Sequence, residues 1–201
     1  MNRLKSKSER YFDKVSEKQH VIEEPQRCYP FVIESLDYLP GKLLDIGCGE
    51  GVLLKMISER VEGCDLFGID ISHNALEVAR SRLSDNSIFI QGDSENLPFD
   101  DNSFDAIICT HSFHHYPKPK ETIIEMFRCL RPGGEVIIVE NYRKEIPRHL
   151  RNIVYTILRH PRGDIRFYSP KEIRTIFCEV GFGEISDRLI TNKSFLIKGI
   201  K

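Results

Sequence analysis

The sequence predicts an α/β protein whose core is a doubly wound, mostly parallel sheet of seven strands with helices on both faces. Short β-branched runs alternate with stretches in which apolar residues recur at spacings of three and four, a pattern typical of parallel strands joined by crossover helices. After the last of these units, two runs alternate enough to form a closing antiparallel pair of strands. The predicted strands are 42–46, 66–71, 87–90, 104–109 and 135–140, followed by 184–188 and 193–198.

The stretches between the first strands predict the crossover helices, and none of them contains proline. These helices span 52–60, 73–83 and 120–130. Ser72 is a suitable N-cap for the second helix. We expect the segment Pro132-Gly133-Gly134 to form the turn that ends the third helix and starts the next strand. Ser169 before Pro170 predicts the start of a further helix, which Gly181 ends.

Length and composition predict one domain over residues 1–201. The chain is 40% hydrophobic and 29% charged, which provides enough apolar side chains for a core. Its apolar runs are far shorter than the roughly 18 residues that span a bilayer, and its charged N-terminus does not resemble a signal peptide, so a cytoplasmic location is expected. The six cysteines contain no Cys-x-x-Cys pair, which favours buried thiols over disulfides.

The charge of the chain is nearly balanced, with a formal net charge of −1, but it is unevenly distributed. Residues 1–20 carry a formal charge of +3 and residues 141–171 carry +6, so the rest of the chain is acidic. We expect 1–40 to form an N-terminal helical cap and 141–171 to form a basic insertion that covers the substrate. The balanced total charge and the lack of an RNA-binding motif make nucleic acid a possible but not a favoured partner.

The most informative motif is LLDIGCGEG at 43–51, an apolar strand that runs into a turn with glycine at alternating positions. Such a turn lets the backbone approach a ligand closely, in front of the amides of a helix N-terminus. The spacing of Gly47, Gly49 and Gly51 differs from the G-x-G-x-x-G pattern of nicotinamide dinucleotide sites. The motif therefore predicts a nucleotide-like ligand, with a nicotinamide-dependent oxidoreductase as a less favoured alternative.

One carboxylate lies at the end of the second predicted strand, and another follows the third. Asp70 comes 21 positions after Gly49, where an acid can accept hydrogen bonds from both hydroxyls of a ribose. Asp93, in the segment GDSENLPF, can accept a hydrogen bond from an adenine amine, although it can also be a simple turn residue. In this order, the glycine turn and the two acids indicate a ligand that contains adenosine.

With the segments FDAIICTHSFHHY and LRPGGEVIIVE, these motifs make the chain resemble the class I S-adenosylmethionine-dependent methyltransferases of the small, type 11-like group. The resemblance is close over 43–140 and looser over FYSPKEIRTIFCEVGF near the C-terminus. It implies a Rossmann-like fold, S-adenosylmethionine as cofactor and S-adenosylhomocysteine as product.

The resemblance also implies roles for individual residues. The first turn would contact the methionine part of the cofactor, Asp70 would hold the ribose, and Asp93 would accept from the adenine amine. Residues just past the fourth strand would lie near the sulfonium. The implied cofactor-binding residues are Asp45, Gly47, Cys48, Gly49, Gly51, Asp70, Ile71, Asp93, Ser94, Thr110 and His111.

The sequence says less about the methyl acceptor. Transfer from a sulfonium depends mainly on positioning, and a base is needed only when the acceptor must lose a proton. His114 and His115 are candidate catalytic bases, although histidines in this stretch can also have a structural or cofactor-pocket role. No metal site is expected, because adjacent histidine side chains do not readily point the same way.

We expect the two basic segments to build the acceptor site, because they would cover the open end of the sheet. Aromatic and arginine side chains suit a small aromatic or anionic acceptor, and a solvated helix face is the alternative. The candidate substrate-binding residues are Tyr11, Tyr142, Arg143, Arg148, Arg151 and Tyr168, with Phe12 and Phe167 as further candidates. A protein that binds the cofactor without catalysis, and a methyltransferase for RNA or a quinone precursor, are the alternative functions. The sequence does not indicate an oligomeric state.

Overall fold

A computed structural model describes residues 3–17, 26–36, 41–83, 87–142, 149, 152–153 and 165–201. Within these residues the strands are β1 (Lys42–Ile46), β2 (Asp65–Asp70), β3 (Ser87–Gln91), β4 (Phe104–Thr110), β5 (Leu130–Asn141), β6 (Gly183–Leu189) and β7 (Ser194–Ile200). The helices are α1 (Arg3–Glu17), α2 (Tyr29–Glu34), α3 (Val52–Ser58), α4 (His73–Arg82), α5 (Pro119–Cys129) and α6 (Pro170–Val180), with a 3₁₀ helix at Phe113–His115.

The seven strands form one sheet in the order β3-β2-β1-β4-β5-β7-β6. Strands β1 to β5 are parallel, and β7 runs antiparallel to both β5 and β6. This arrangement confirms the doubly wound, mostly parallel sheet and the antiparallel last pair that the sequence predicts. The strand order reverses between β1 and β4, and the carboxyl ends of strands at such a point form the crevice in which open α/β sheets bind ligands.

The central strands are buried on both faces of the sheet. Leu43 to Ile46 and Phe104 to Cys109 are all buried, so each strand is a continuous apolar run except where a carboxylate interrupts it. One face packs against a cluster that includes Phe113 and Phe177, and the other against a cluster that includes Leu54. Asp45, near the end of β1, is therefore a carboxylate in an otherwise apolar layer.

Two helices begin where the sequence predicts. Ser72 caps α4, because its Oγ accepts a hydrogen bond from the backbone N of Ala75. Ser169 and Glu172 form a reciprocal capping box at the start of α6, and Gly181 ends that helix. Both signals are local in the chain, which is why the sequence shows them.

The start of β5 differs from the prediction. The segment Pro132-Gly133-Gly134 is an irregularity inside β5, which begins at Leu130 directly after α5. The pairing register with β4 shifts between Phe104 and Ala106 to accommodate the extra residues. The turn chemistry of this segment is real, but it produces a bulge within a strand rather than a connection before it.

The described part of residues 1–40 contains the helices α1 and α2, and its role as an N-terminal cap stays a prediction. Most of 141–171, including Arg143, Arg148 and Arg151, lies outside the described residues. None of the described helices has the length and apolar character needed to cross a membrane.

Candidate active site

A cavity of about 220 Å³ lies at the carboxyl ends of β1, β2 and β4, where the strand order reverses. The glycine turn after β1 and the segments after β2, β3 and β4 form its walls, and α1 adds a further wall. All but one of the residues implied as cofactor-binding line it: Asp45, Gly47, Cys48, Gly49, Asp70, Ile71, Asp93, Ser94, Thr110 and His111. Residues that are far apart in the sequence are thus brought together at one edge of the sheet.

The exception is Gly51, which does not line this cavity. It is the N-cap of α3, and a Cβ there would lie 3.0 Å from the Cβ of Ala79 and 3.1 Å from Leu83 Cδ1. Gly51 therefore allows α3 to pack closely against α4. This packing, rather than contact with a ligand, explains why position 51 is glycine.

The glycine turn is shaped at Gly47 and Gly49, both of which have positive φ angles. A Cβ at Gly47 would lie only 2.3 Å from Ser112 Oγ, so no side chain fits there. A Cβ at Gly49 would meet no other atom within 4 Å, because this residue faces open space in the cavity. Gly47 is required by the protein's own packing, whereas Gly49 leaves room for a ligand to contact the backbone.

Asp45 is 1% exposed, and its Oδ1 has no hydrogen-bond partner among the residues that the structure describes. Burial, with a further contribution from the charge of Asp70, raises the pKa of Asp45 from the ordinary 3.8 to about 8. A buried, unpaired carboxyl group costs free energy, which a cationic donor can recover. The cavity therefore has an unsatisfied acceptor that fits an ammonium group. Ser8 Oγ of α1, also in the cavity wall, is a second buried polar atom without a partner in the described part of the chain.

Asp70 ties the end of β2 to the glycine turn. Its Oδ2 accepts a hydrogen bond from the backbone N of Gly49 at 2.8 Å, and its Oδ1 accepts from the backbone N of Ser72 at 2.8 Å. Burial raises the pKa of Asp70, and these backbone hydrogen bonds partly offset that effect. A carboxylate oxygen can accept more than one hydrogen bond, so the same group can also hold two adjacent hydroxyls.

Asp93, after β3, also belongs to the cavity wall. Its Oδ1 accepts from the backbone N of Glu95 at 3.0 Å, and its Oδ2 accepts from Lys5 Nζ of α1. Nothing in the sequence indicates the contact with Lys5, because the two residues are 88 positions apart.

The histidines after β4 have distinct environments. His115 lines the cavity, and the ring of Phe12 packs edge-on against it with centroids 5.0 Å apart. His111 also lines the cavity and has a positive φ of 52°, a strained conformation for a non-glycine residue. His114 does not line the cavity: it is 7% exposed, and its Nδ1 lies 2.9 Å from Glu140 Oε2. Of the two candidate bases, His115 alone lies at this cavity.

Glu140 fixes the 3₁₀ helix that carries His114 and His115. Its Oε1 also accepts from the backbone N of His114, and its Oε2 accepts from the backbone N of Asn141. Burial alone would raise the pKa of Glu140, but the charge and hydrogen bond of His114, with a smaller contribution from His111, lower it to about 2. Glu140 is thus a buried carboxylate with its partners supplied by the chain.

The comparisons with known proteins identify the family. A family model described as a methyltransferase domain matches residues 44–138. A demethylmenaquinone methyltransferase of Staphylococcus epidermidis is 31% identical over 171 residues, which cover 75% of this chain and 71% of that protein. The chain belongs to the S-adenosylmethionine-dependent methyltransferases.

Other relatives of this methyltransferase are longer than the chain. A demethylmenaquinone methyltransferase of Thermotoga maritima is 30% identical over 148 residues. These residues cover 69% of this chain and 63% of that protein. The chain spans 34% of a sterol 24-C-methyltransferase of Schizosaccharomyces pombe. The YcgJ protein of Bacillus subtilis has the same fold, with a TM-score of 0.73 and 23% identity over 88% of this chain and 98% of that one.

The residues present in the methyltransferase fit the cofactor of this family. S-adenosylmethionine carries an ammonium group, and the unpaired carboxyl of Asp45 lies in the cavity wall together with the open backbone at Gly49. The described cavity wall contains four acidic side chains and one lysine, which suits a cationic ligand.

The acceptor side of the methyltransferase differs more from what the sequence predicts. Phe12 lines the cavity, whereas its neighbour Tyr11 does not. Tyr168 is 6% exposed and packs edge-on against Phe113, and Tyr142 packs against the same core cluster, so neither lines this cavity.

Several residues of the cavity wall were not predicted from the sequence. Gln26 and Tyr29 come from the segment at the start of α2. Ser112 Oγ donates to the backbone O of Ile46 at 3.0 Å and lies 2.6 Å from the hydroxyl of Tyr116, so this pair supports the glycine turn from the β4 side. Ser112 and Tyr116 are four positions apart on one turn after β4, and this spacing is the signal that could have indicated them.

Proposed function

We propose that the protein transfers a methyl group from S-adenosylmethionine to a small acceptor with an aromatic or anionic group. The observation that carries the proposal is the buried, unpaired carboxyl of Asp45 in a cavity whose wall also contains Asp70 and Asp93. These three acids lie at or just after the carboxyl ends of three neighbouring strands, in the order in which the methionine, ribose and adenine parts of one extended ligand would meet them.

Each part of the cavity has a role in this proposal. When bound, S-adenosylmethionine supplies a methyl group on a positively charged sulfonium. Asp45 accepts from its ammonium group, Asp70 from the ribose hydroxyls, and Asp93 from the adenine amine. Thr110 is the last residue of β4 and His111 follows it, next to the reacting end.

The acceptor part of the proposal rests on aromatic side chains. Phe12, Tyr29, His111 and His115 all belong to the cavity wall, and flat rings of this kind suit a planar acceptor. Burial raises the pKa of Tyr29 well above its ordinary value, so this phenol stays neutral and offers a ring and a hydroxyl. Two of the relatives described above are named for demethylmenaquinone, which favours a quinone precursor among planar acceptors.

His115 is the residue we propose as the base if the acceptor must lose a proton. It lies in the cavity wall, and its neighbour His114 is held by Glu140, so the 3₁₀ helix that presents His115 is fixed from behind. The preference for an anionic acceptor depends on Arg143, Arg148 and Arg151, in the proposed basic cap over 141–171.

Binding of the cofactor without methyl transfer is the second candidate function. The [4+2]-cyclase SpnF has the same fold, with a TM-score of 0.72 and 20% identity over 88% of this chain and 81% of that one. A shared fold does not determine a shared reaction, so methyl transfer needs its own test.

The first experiment is a calorimetric titration with S-adenosylhomocysteine, with NADH as the control ligand. We expect saturable binding at one site for the former and none for the latter. Incubation with a methyl-labelled donor and a panel of planar phenols, quinols and aromatic acids then tests transfer. Binding of S-adenosylhomocysteine with no transfer to any acceptor would favour the second candidate, and binding of NADH would contradict both.

A further inference from the structure

Helix α1 forms a wall of the cavity although it lies outside residues 44–138, which the family model matches. Lys5, Ser8 and Phe12 all line the cavity, and their spacing of three and four places them on one face of the helix. The helix is also fixed away from the cavity by Asp13, whose Oδ1 accepts from Ser72 Oγ at 2.6 Å. This second attachment means that α1 does not depend on Lys5 alone for its position.

Lys5 bridges two carboxylates at the adenine end of the cavity. Its Nζ lies 2.5 Å from Asp93 Oδ2 and 2.5 Å from Glu95 Oε2, with the side chains of Lys5 and Glu95 12% and 9% exposed. Burial alone would lower the pKa of Lys5, but the hydrogen bonds and charges of Asp93 and Glu95 outweigh it and raise the pKa. The ammonium group is therefore charged and is held by both carboxylates.

Both oxygens of Asp93 are engaged by donors from the protein itself. The backbone N of Glu95 donates to Oδ1, and Lys5 donates to Oδ2. Lys5 is itself a cavity-lining residue, so its ammonium group occupies space next to the carboxylate that a ligand amine would use. Because Lys5 fills this space, it and a ligand amine would compete for the position next to Oδ2.

Glu95 can keep its ion pair with Lys5 when Lys5 no longer contacts Asp93. Its other carboxylate oxygen, Oε1, accepts from the backbone N of Lys118 at 2.9 Å, which fixes the side chain, and Glu95 does not line the cavity. Lys5 can thus give up Asp93 and keep a charge-assisted hydrogen bond to Glu95.

We propose that Lys5 competes with the adenine amine of the cofactor for Asp93, and that cofactor binding shifts Lys5 from both carboxylates to Glu95 alone. The proposal rests on the proposed function, which places the adenine amine at Asp93. It makes Lys5 a residue that lowers cofactor affinity in the native protein, and Glu95 a residue that raises it.

The two sides of the ion pair are therefore expected to give opposite effects. Lys5→Met removes the competitor and should tighten binding of S-adenosylhomocysteine about two- to fivefold, in the range of partly exposed charge pairs. Glu95→Gln leaves Lys5 with Asp93 as its only carboxylate and should weaken binding by a similar factor. If the ion pair served only to hold α1 in place, both variants would weaken binding.

The test is calorimetric titration of the full chain and its variants, with Lys14→Met as the matched control because Lys14 is an exposed lysine on the same helix. A second ligand is the analogue of S-adenosylhomocysteine in which hydrogen replaces the adenine amine. We expect Lys5→Met to tighten binding of S-adenosylhomocysteine but not of the analogue, with Lys14→Met neutral for both. Thermal melting without ligand checks that each variant is folded.

Each other outcome has a defined meaning. Weaker or unchanged binding of S-adenosylhomocysteine by Lys5→Met, or equal tightening of both ligands, would overturn the competition while leaving the proposed function standing. Failure of the unaltered protein to bind S-adenosylhomocysteine would overturn the proposed function and, with it, the competition at Asp93.

Discussion

Two buried carboxyl groups, Asp45 in the cavity wall and Glu140 beside the 3₁₀ helix that carries His115, have opposite surroundings at the same edge of the sheet. Each is 1% exposed and lies at or near the carboxyl end of a central strand. Asp45 has an unpaired oxygen and a pKa raised to about 8, whereas Glu140 is paired with His114 and has a pKa lowered to about 2.

The difference shows which polar groups are kept for a ligand. Glu140 stabilises the fold because the chain provides its partner, and Asp45 destabilises the fold until a partner arrives. The cavity wall at Asp45 thus has an unsatisfied polar group without ligand, whereas the carboxylate of Glu140 has its partners among the described residues.

The largest effect is expected from a side chain that does not fit in the glycine turn after β1. Gly47→Ala would place a Cβ 2.3 Å from Ser112 Oγ at a φ of +76°, and should cost about 3 kcal/mol of stability and abolish binding of S-adenosylhomocysteine. The control is Gly63→Ala, because Gly63 has a φ of +75° with no atom within 4 Å. We expect about 1 kcal/mol from that control, with normal binding. If Gly47→Ala and Gly63→Ala lost the same stability in urea unfolding and the same affinity in calorimetry, the requirement for glycine at position 47 would come from backbone strain and not from the contact with Ser112.

The pairing of Glu140 can be broken without changing its shape. Glu140→Gln should lower the free energy of unfolding by about 2 kcal/mol at pH 7, since it removes the charge from a buried hydrogen-bonded pair. The folded-state pKa of about 2 lies below the ordinary 4.5, so the native group contributes stability above pH 4.5 and loses it as the pH falls towards 2. The variant should therefore approach the native protein only as the pH falls to about 2 in denaturant titrations.

Glu179→Gln is the control for that measurement, because Glu179 pairs with Lys120 at the surface with both side chains about half exposed. We expect less than about 1 kcal/mol from it. A loss as large as that of Glu140→Gln would show that burial does not distinguish the two pairs.

Asp45→Asn should raise the free energy of unfolding of the protein without ligand, in contrast to Glu140→Gln, which lowers it. The folded-state pKa of about 8 lies above the ordinary 3.8, so the folded state binds more protons than the unfolded state between these values, and native stability falls as the pH rises from 4 to 8. Asparagine removes this loss, so the variant should melt at a higher temperature at pH 8, with a smaller difference at pH 5. Its affinity for S-adenosylhomocysteine should fall about tenfold at pH 8, because a charge-assisted hydrogen bond is lost. A variant that melts lower at both pH values, with native affinity, would show that Asp45 is a structural group.

The smallest effect concerns the acceptor side. Phe12→Ala removes a ring that lines the cavity and contacts His115, and should raise the acceptor KM about threefold or more with kcat less affected. Tyr11→Ala is the matched change at a neighbour that does not line the cavity, and it should leave KM unchanged. Once an acceptor has been found, steady-state kinetics distinguish the two, and an effect at Tyr11 alone would move the acceptor to another surface of α1.

The sequence predicted the parts of this molecule that depend on local pattern. Strands β1 to β4, the capped starts of α4 and α6, and the acids at the ends of β1 and β2 all follow from periodicity, glycine spacing and residues next to a strand end. The bulge in β5 was missed because it is decided by pairing with β4, which the residues of β5 alone do not determine.

The unpredicted contacts of the site are long-range for the same reason. Lys5 meets Asp93 across 88 positions, and His114 meets Glu140 across 26, so neither pair leaves a periodic signal. Tyr11 and Phe12 are equivalent as aromatic residues in the sequence, and only the rotation of α1 separates them. Side-chain partners between elements require the packed structure, whereas positions at strand ends do not.

The unpaired carboxyl of Asp45 also links the abundance of the protein to its ligand supply. A ligand that binds only the folded state stabilises it by about 2.7 kcal/mol when present at one hundred times its Kd. Because degradation by proteases follows the unfolded fraction, a change of that size alters how long each molecule survives. If the protein binds the methyl donor as proposed, a cell short of that donor would hold fewer copies of the protein, without any regulator being involved.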